Sequence, residues 1–362
     1  MAIYLIHLFS VPVWYFILKI LLRVKNADQK VVTIVCIQSV LLMGLRSLEI
    51  GTDTITYSWI FENCANLSFA GLLDYHIEFG YSLLNKVVAV LFSEYRVMMF
   101  VNAIIIMLGI RNVILKLSDN KIMSIYLFIA IGYFCSAMNI VRQYIALVFV
   151  LNAFVAVLYK QKAWKWKILL NCLIATLFHM SAILMLAVII GYYIIYNEKI
   201  KKGFMLRMIA CLVGGVLVLF LDKIIQMIPF VDYDYLVHGG GFKYSIWNFN
   251  FLLKIICIIL CLIIQKINKD KLSGKELENY RFCNYLIVLS CFMNVASINF
   301  NMFTRFNLYF AIMLIIFIPN LFRKIPMKEK WLCILVVYVG VTAIYIMDLV
   351  GNGELVPYVF LG

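Results

Sequence analysis

Long runs without a charged residue alternate along this chain with short segments that are rich in lysine and arginine. The clearest of these runs cover residues 122–141, 143–159, 282–304, 306–322 and 331–347. Each run has close to the roughly 20 apolar residues that an α-helix needs in order to cross a lipid bilayer. The pattern predicts an all-α fold, a polytopic integral membrane helical bundle with about 11–12 membrane segments.

One run, residues 168–197, does not fit a single crossing. Its 30 residues are too many for one untilted helix and too few for two full crossings. The basic segments on either side, 160–167 and 199–202, should both face the cytoplasm, where lysine and arginine are enriched. Because this requires an even number of passages, we expect a short helical hairpin or two partial helices with an apex near residues 178–181. His179 would then lie at the outer side or in a cavity open to it.

Composition and charge support the same class of protein. Hydrophobic residues make up 65% of the 362 residues and charged residues only 14%, which excludes an ordinary soluble domain. The net charge of +14 could indicate nucleic-acid binding, but most lysines and arginines lie in the short segments between the apolar runs. We therefore expect no nucleic-acid partner. The ten cysteines stand singly and without metal-binding spacing, so neither disulfides nor a metal site is predicted.

The sidedness of the basic segments predicts a single transmembrane domain, residues 1–362, with both termini outside and outer loops at residues 46–96 and 222–247. Within the first loop, segment 76–88 predicts an amphipathic or partly re-entrant helix. The second loop carries acidic residues and a histidine. Their irregular spacing favours a lid or substrate groove over a divalent-cation site; the residues are Asp222, Asp232, Asp234 and His238.

The first candidates for chemistry lie in the polar segment 44–61. Gly51 can supply a turn with positive φ, and Asp53 can either cap a helix that begins at Thr54 or take part in chemistry. Tyr57 follows Asp53 by one helical turn and lies on the same face. Arg46 could anchor to lipid phosphates, but basic anchors prefer the cytoplasmic edge, which favours a functional role for Arg46.

Further candidates stand at the outer ends of other predicted helices. Arg142, followed by Gln143, either snorkels to the interface or directs its guanidinium at a phosphate. His179 is either a satisfied residue in an apolar helix or a general base, and its apex position favours the base. Arg305 begins a late helix that also carries Tyr309. The three isolated outer arginines could together hold a diphosphate.

Five short motifs follow one another along the chain: Arg-x-x-x-x-Gly-Thr-Asp-x-x-x-Tyr, Glu-x-Gly-Tyr, Arg-Gln-x-x-Ala, Phe-His-x-Ser-Ala and Arg-x-x-x-Tyr-Phe. The matching residues are Arg46, Gly51, Thr52, Asp53 and Tyr57; Glu78, Gly80 and Tyr81; Arg142, Gln143 and Ala146; Phe178, His179, Ser181 and Ala182; and Arg305, Tyr309 and Phe310. In this order they resemble the EpsG family of bacterial exopolysaccharide proteins, relatives of the Wzy O-antigen and capsule polymerases. The resemblance covers most of the chain.

The resemblance implies an enzyme that polymerises polyprenyl-diphosphate-linked oligosaccharide repeat units by glycosyl transfer, with the lipid diphosphate as leaving group. The base would be His179 or Asp53. The substrate-binding residues would be Arg46, Arg142, Arg305, Tyr57, Gln143 and Tyr309. Neither a metal nor another cofactor is implied, because arginines would neutralise the diphosphate.

The resemblance also implies a multi-pass protein of the bacterial cytoplasmic (inner) membrane with its active site facing outward. Its partners would be the lipid-linked oligosaccharide, membrane lipids and other polysaccharide-assembly proteins, such as a flippase or a chain-length regulator. Two alternatives stay open. A glycan flippase or transporter would need basic residues along a path through the bilayer, whereas an outer-face ligase or acyltransferase would share the site and differ in its acceptor.

Overall fold

A computed structural model describes residues 1–196, 212–216, 223, 249–267, 273–298, 300, 302–324, 327–350 and 354–360. The α-helices in this part of the chain are α1 (Ala2–Tyr15), α2 (Ala27–Gly44), α3 (Thr54–Asn66), α4 (Phe79–Leu91), α5 (Tyr95–Leu117), α6 (Lys121–Ala130), α7 (Tyr133–Asn139), α8 (Val141–Tyr159), α9 (Trp164–Phe178), α10 (Leu184–Ile195), α11 (Phe249–Ile267), α12 (Gly274–Ala296), α13 (Met302–Ala311), α14 (Leu314–Arg323) and α15 (Met327–Val350). A π-helical turn, Phe16–Leu21, extends α1. The prediction of an all-α fold is confirmed.

Six helical segments are long and apolar enough to cross a membrane, and the bent pair α6–α7 is a seventh candidate. The six segments are Ala2–Leu21, Ala27–Gly44, Tyr95–Leu117, Val141–Tyr159, Met302–Arg323 and Lys330–Val350. The prediction of a polytopic helical membrane protein is thereby confirmed. These numbers refer to the described residues alone, so the total of about 11–12 segments stays a prediction.

The chain divides into two compact units. The first contains Met1–Ile183 together with Phe322–Gly362, and the second contains Leu184–Leu321. The interval 46–96, predicted as an outer loop, holds helices α3 and α4 of the first unit. The predicted outer loop 222–247, with Asp222, Asp232, Asp234 and His238, lies outside the described residues except for Lys223.

Helix α8 lies at the centre of the first unit. In the stretch of α8 that is long enough to cross a bilayer, 78% of the residues are buried. The corresponding fraction in the final span, Lys330–Val350, is 17%. Helices α5 and α9 pack on α8. Gly109 of α5 permits a close approach, since a Cβ at that position would lie 2.3 Å from Cγ1 of Val148 on α8. Small residues at such contacts let helix backbones pack tightly where no water is present to drive association.

A bend between α6 and α7 brings the chain to the start of α8. The two helices meet at 54°, and Gly132 at the break has φ +89°, a conformation that glycine adopts without a steric penalty. Helix α7 ends after two turns at Asn139, and α8 begins at Val141. Arg142 is therefore placed in the first turn of the central helix.

Segments 76–88 and 168–197 both contain the local structure that the sequence predicts, a helix in the first and a break in the second. Segment 76–88 contains α4, whose buried residues Tyr81, Asn85 and Val88 recur at helical spacing. The run 168–197 breaks after Phe178, where His179 is extended with φ −157° and ψ 115°, and a 3₁₀ turn at Met180–Ile183 follows. The break lies within the predicted range. Because α9 and α10 belong to different units, their arrangement as a hairpin stays a prediction.

The second unit contains Arg305, in the first turn of α13. Helix α12 begins with a capping box, in which the side chain of Ser273 accepts from the backbone N–H of Glu276. Helix α13 packs on α12. Their contact includes a hydrogen bond from the Asn307 side-chain amide to that of Asn294. The Asn307 oxygen in turn accepts from the hydroxyl of Ser290, so both ends of this buried amide are paired, in a setting where an unpaired polar group is costly.

Candidate functional site

A carboxylate, an imidazole and a guanidinium meet in the first unit. One oxygen of Glu78, Oε2, accepts a hydrogen bond from Nη1 of Arg142. The other oxygen, Oε1, lies 3.1 Å from Nδ1 of His179 and also accepts from the backbone N–H of Met180. The three side chains are 17–27% exposed, so the cluster is accessible to a ligand while most of its surface is withdrawn from solvent.

Local sequence explains how Glu78 reaches this position. Glu78 is the N-cap residue of α4, and its side chain makes no capping hydrogen bond to that helix. Gly80 packs against the last turn of α9, where an added Cβ would lie 2.7 Å from the carbonyl oxygen of Leu177. Since α9 ends at Phe178, the close contact brings Glu78 beside His179. The glycine therefore sets the distance between the carboxylate and the imidazole.

The electrostatics of the cluster keep Glu78 ionised. Burial raises the pKa of Glu78, but the hydrogen bond with His179 and the charge of Arg142 outweigh it and hold the pKa at about 2. An ionised carboxylate accepts the Nδ1–H of a neutral imidazole and thereby leaves Nε2 with its lone pair. In this arrangement the contact with Glu78 fixes the orientation of the His179 ring.

Tyr57 joins the cluster through Arg142. The guanidinium donates a hydrogen bond to the phenolic oxygen of Tyr57, which is 5% exposed and packs edge to face on Tyr81 with ring centroids 5.8 Å apart. Burial raises the pKa of Tyr57, so the phenol is neutral near pH 7. The sequence-predicted residues Tyr57, Arg142 and His179 are thus brought together by the fold.

The Arg142 guanidinium is held in place by its neighbours. Its Nε is buried and has no hydrogen-bond partner among the described residues. A guanidinium carries five N–H donors in a planar fork, and those that contact Glu78 and Tyr57 fix the orientation of that fork. An oriented fork is well suited to the oxygens of a phosphate.

Arg46 has contacts of another kind. It is 3% exposed, and its guanidinium donates to the carbonyl oxygens of Met43 at 2.6 Å, Met138 at 3.0 Å and Ile50 at 3.3 Å. These bonds join the end of α2, the turn before α3 and the end of α7. Arg46 therefore holds the segment that carries Asp53 and Tyr57, and its role as a diphosphate ligand stays a prediction.

Asp53 occupies the N-cap position of α3, and Gly51 before it has φ +94° as expected for the turn. The position of the cap is therefore as predicted, but the Asp53 side chain makes no capping hydrogen bond. Asp53 is partly exposed and acts electrostatically on Tyr57. Its use as a base stays a prediction.

The remaining predicted residues, Gln143, Tyr309 and Arg305, are not among the described contacts of the Glu78 cluster. Gln143 is 2% exposed within α8. Tyr309 is fully buried and Arg305 partly exposed, and both belong to the second unit. The convergence of three arginines therefore stays a prediction. Within the described residues, no group of three His, Cys, Asp or Glu side chains could hold a metal ion.

Glu78 is the member of the cluster that sequence reasoning did not select as a site residue. It lies 64 residues before Arg142 and 101 before His179, so no local spacing links the three. The available signal was the motif Glu-x-Gly-Tyr, in which a carboxylate stands two residues before a glycine at the start of an apolar helix. A charge at such a place is costly unless it is paired.

The fold and the cluster define a class of protein, a polytopic helical membrane protein with a paired carboxylate, imidazole and guanidinium. The family model of the EpsG family matches residues 29–360. The chain belongs to the EpsG family, a Wzy-like polymerase family with an exopolysaccharide-related role. A search of curated proteins and a search of solved structures found no match.

Proposed function

We propose that this protein polymerises polyprenyl-diphosphate-linked oligosaccharide repeat units at the outer face of the bacterial cytoplasmic membrane. The observation that carries the proposal is the contact of one carboxylate, Glu78, with both His179 and Arg142. A glycosyl transfer from a lipid diphosphate needs a base for the attacking hydroxyl and a cation for the leaving group. The cluster offers both within one site.

The reaction assigns one role to each side chain. A hydroxyl oxygen of one repeat unit bonds to the anomeric carbon of another, and the bond from that carbon to the diphosphate oxygen breaks. The hydroxyl proton moves to Nε2 of His179, while the electron pair of the broken bond leaves with the polyprenyl diphosphate. Glu78 holds the imidazole through Nδ1, which favours His179 over Asp53 as the base.

Arg142 stabilises the leaving group. Negative charge grows on the diphosphate as the glycosidic bond breaks, and a cation that is already oriented stabilises that charge without further reorganisation. Arg142 is oriented by Glu78 and Tyr57. Arg46 and Gln143, which are 3% and 2% exposed, are proposed to support this site from within the first unit.

The placement of the cluster on its helices supports an outward-facing site. Arg142 begins α8 and His179 follows the end of α9, whereas Lys160 follows the end of α8 and Lys167 lies in the first turn of α9. The 19 residues of α8 span about 28 Å at 1.5 Å per residue, close to the thickness of the hydrocarbon core. The lysine-rich ends are expected at the cytoplasmic face, so the cluster would lie at the other face.

The test is elongation by the purified protein in lipid nanodiscs that contain a lipid-linked repeat unit. We expect a ladder of products, with one polyprenyl diphosphate released for each unit added and with no need for ATP. Movement of the repeat unit across the membrane without a covalent product would contradict the proposal and indicate a flippase. Transfer only to an acceptor that is not lipid-linked would contradict it in favour of a ligase.

A further inference from the structure

A cavity of about 220 Å³ opens in the first unit where α5 and α8 end and α9 begins. It lies at the opposite ends of α8 and α9 from the Glu78 cluster. Its polar lining includes Lys116, Asn152, Tyr159, Trp164, Lys167 and Asn171. The reaction proposed above uses none of these residues, so the cavity calls for a separate explanation.

The lining is positively charged. It contains two lysines, Lys116 and Lys167, and no aspartate or glutamate. Asp119, the acidic residue nearest to Lys116 along the chain, accepts a hydrogen bond from Nη1 of Arg323 at 2.7 Å. Two exposed lysines therefore line the cavity without a carboxylate in its wall, which favours an anionic ligand.

The frame of the cavity is fixed by hydrogen bonds. The Asn152 side chain accepts at 3.1 Å from the side-chain amide of Asn112, and the Asn171 amide donates at 2.7 Å to the carbonyl oxygen of Lys167. The Tyr159 hydroxyl donates to the carbonyl oxygen of Lys116. These contacts tie α5 to α8 and hold the lysine-bearing backbone in place, so the lysines project from fixed positions.

The beginning of α9 adds to the positive potential. Helix α9 has 15 residues, and its N-cap residue, Ala163, provides no side-chain cap. The first N–H groups of a helix and its dipole both favour an anion at this end. Trp164, which lines the cavity, is a residue type that prefers the boundary between lipid and water.

We propose that this cavity binds a phosphate-bearing anion. The chemistry fits the phosphodiester of an anionic phospholipid at the membrane interface, and it also fits a soluble phosphate. Basic pockets between membrane helices hold anionic head groups in this way. Binding here would fasten the ends of three helices whose opposite ends carry or support the Glu78 cluster.

The experiment measures ligand retention by the full-length protein with native mass spectrometry in two arms. One arm adds phosphatidylglycerol, with phosphatidylcholine for comparison, and the other adds inorganic phosphate. The variant is the pair Lys116→Gln and Lys167→Gln, and the matched control is Lys162→Gln, an exposed lysine of the same basic segment that does not line the cavity.

Wild type and the Lys162→Gln control should retain the phosphate-bearing ligand equally. In the double variant, each of the two substituted lysines should weaken retention about fivefold. This is the contribution expected of one lysine near an anionic membrane surface. Retention in the lipid arm assigns the site to a head group, and retention only in the phosphate arm assigns it to a soluble phosphate. Equal retention by all three proteins in both arms would overturn the proposal, whatever the result for polymerisation.

Discussion

Oε1 of Glu78 lies 3.1 Å from Nδ1 of His179, although 101 residues separate the two in the chain. The contact arises where the start of α4 meets the end of α9, and Gly80 makes that meeting possible. Because the same carboxylate also binds Arg142, one residue orients both the proposed base and the proposed diphosphate ligand.

Replacing the proposed base should reduce the chemical step. We expect His179→Ala to lower the elongation rate by about 10² to 10⁴-fold, the usual contribution of a positioned general base. Asp53→Asn should cause a much smaller loss, because no side-chain hydrogen bond or ion pair from the described part of the chain orients the Asp53 carboxylate. The measurement is the initial rate of product formation from the lipid-linked repeat unit.

His76→Ala is the matched control, since His76 is an exposed histidine of the same unit outside the cluster. It should leave the rate unchanged. If Asp53→Asn proved as damaging as His179→Ala in proteins of equal stability, the assignment of the base to His179 would be wrong.

Arg142→Lys should be damaging although it keeps the charge. A guanidinium can contact Glu78, Tyr57 and a phosphate at once because its donors form a planar fork. A lysine ammonium has no such fork. We expect a decrease in elongation rate of about 10²-fold or more, with normal insertion into the membrane. Product length and the amount of membrane-inserted protein are measured together.

Arg111→Lys provides the control for this change. Arg111 lies on α5 and donates at 2.8 Å from Nε to the hydroxyl of Thr33, away from the Glu78 cluster. Its replacement should leave the products as in wild type. An unchanged chain-length distribution in Arg142→Lys would refute the role given to this arginine.

Gly80→Ala should separate α4 from α9. The added methyl group would lie 2.7 Å from a backbone oxygen, that of Leu177, which cannot rotate out of the way as a side chain can. We expect a loss of about 1–3 kcal/mol in stability, as for other overpacked contacts, and a lower elongation rate because Glu78 moves from His179. Thermal unfolding and activity are both measured.

Gly71→Ala is the comparison, because its added methyl group meets nothing closer than 3.4 Å. It should unfold close to the wild-type temperature. Equal unfolding temperatures for Gly71→Ala and Gly80→Ala would show that the contact with Leu177 is not tight.

The ion pair of Glu78 should appear in the pH dependence of stability. Its pKa is held at about 2, below the ordinary value of 4.5. The ionised form therefore stabilises the fold above pH 4.5, and this stabilisation is lost as the pH falls toward 2. Glu78→Gln should lower the unfolding temperature by a few degrees near pH 7, and the difference from wild type should shrink below pH 4.5.

Unfolding temperatures between pH 7 and pH 3 test this prediction, with Glu62→Gln as the control. Glu62 is an exposed residue of α3, so its replacement should follow the wild-type curve throughout. A difference between wild type and Glu78→Gln that stays constant over this range would mean that Glu78 is not stabilised as an anion.

Several features could be predicted because their causes are local. The apolar runs predicted the positions of helices such as α8 and α15. A segment that crosses a bilayer must satisfy its own backbone hydrogen bonds, and a helix does so within one segment. The break at His179 followed from the length of run 168–197 and from its flanking charges. The turn at Gly51 followed from the conformational freedom of glycine.

Other features depend on contacts between distant segments. For Arg46 the residue type and its position favoured a ligand, whereas the fold surrounds its guanidinium with the carbonyl oxygens of Met43, Ile50 and Met138. For Asp53 the expected capping bond is not made. A side chain that can bond either to a nearby backbone group or to a ligand has no sequence pattern that separates the two.

The membrane class, the helical fold, the break at His179 and the family could all be predicted from the amino-acid sequence, because hydropathy, length and motif order are properties of short segments. The contacts of Glu78 with His179 and Arg142, and those by which the guanidinium of Arg46 holds a turn together, became visible in the three-dimensional structure. An ion pair or a hydrogen bond requires atoms within about 3 Å of each other. Which atoms come that close depends on how the helices pack.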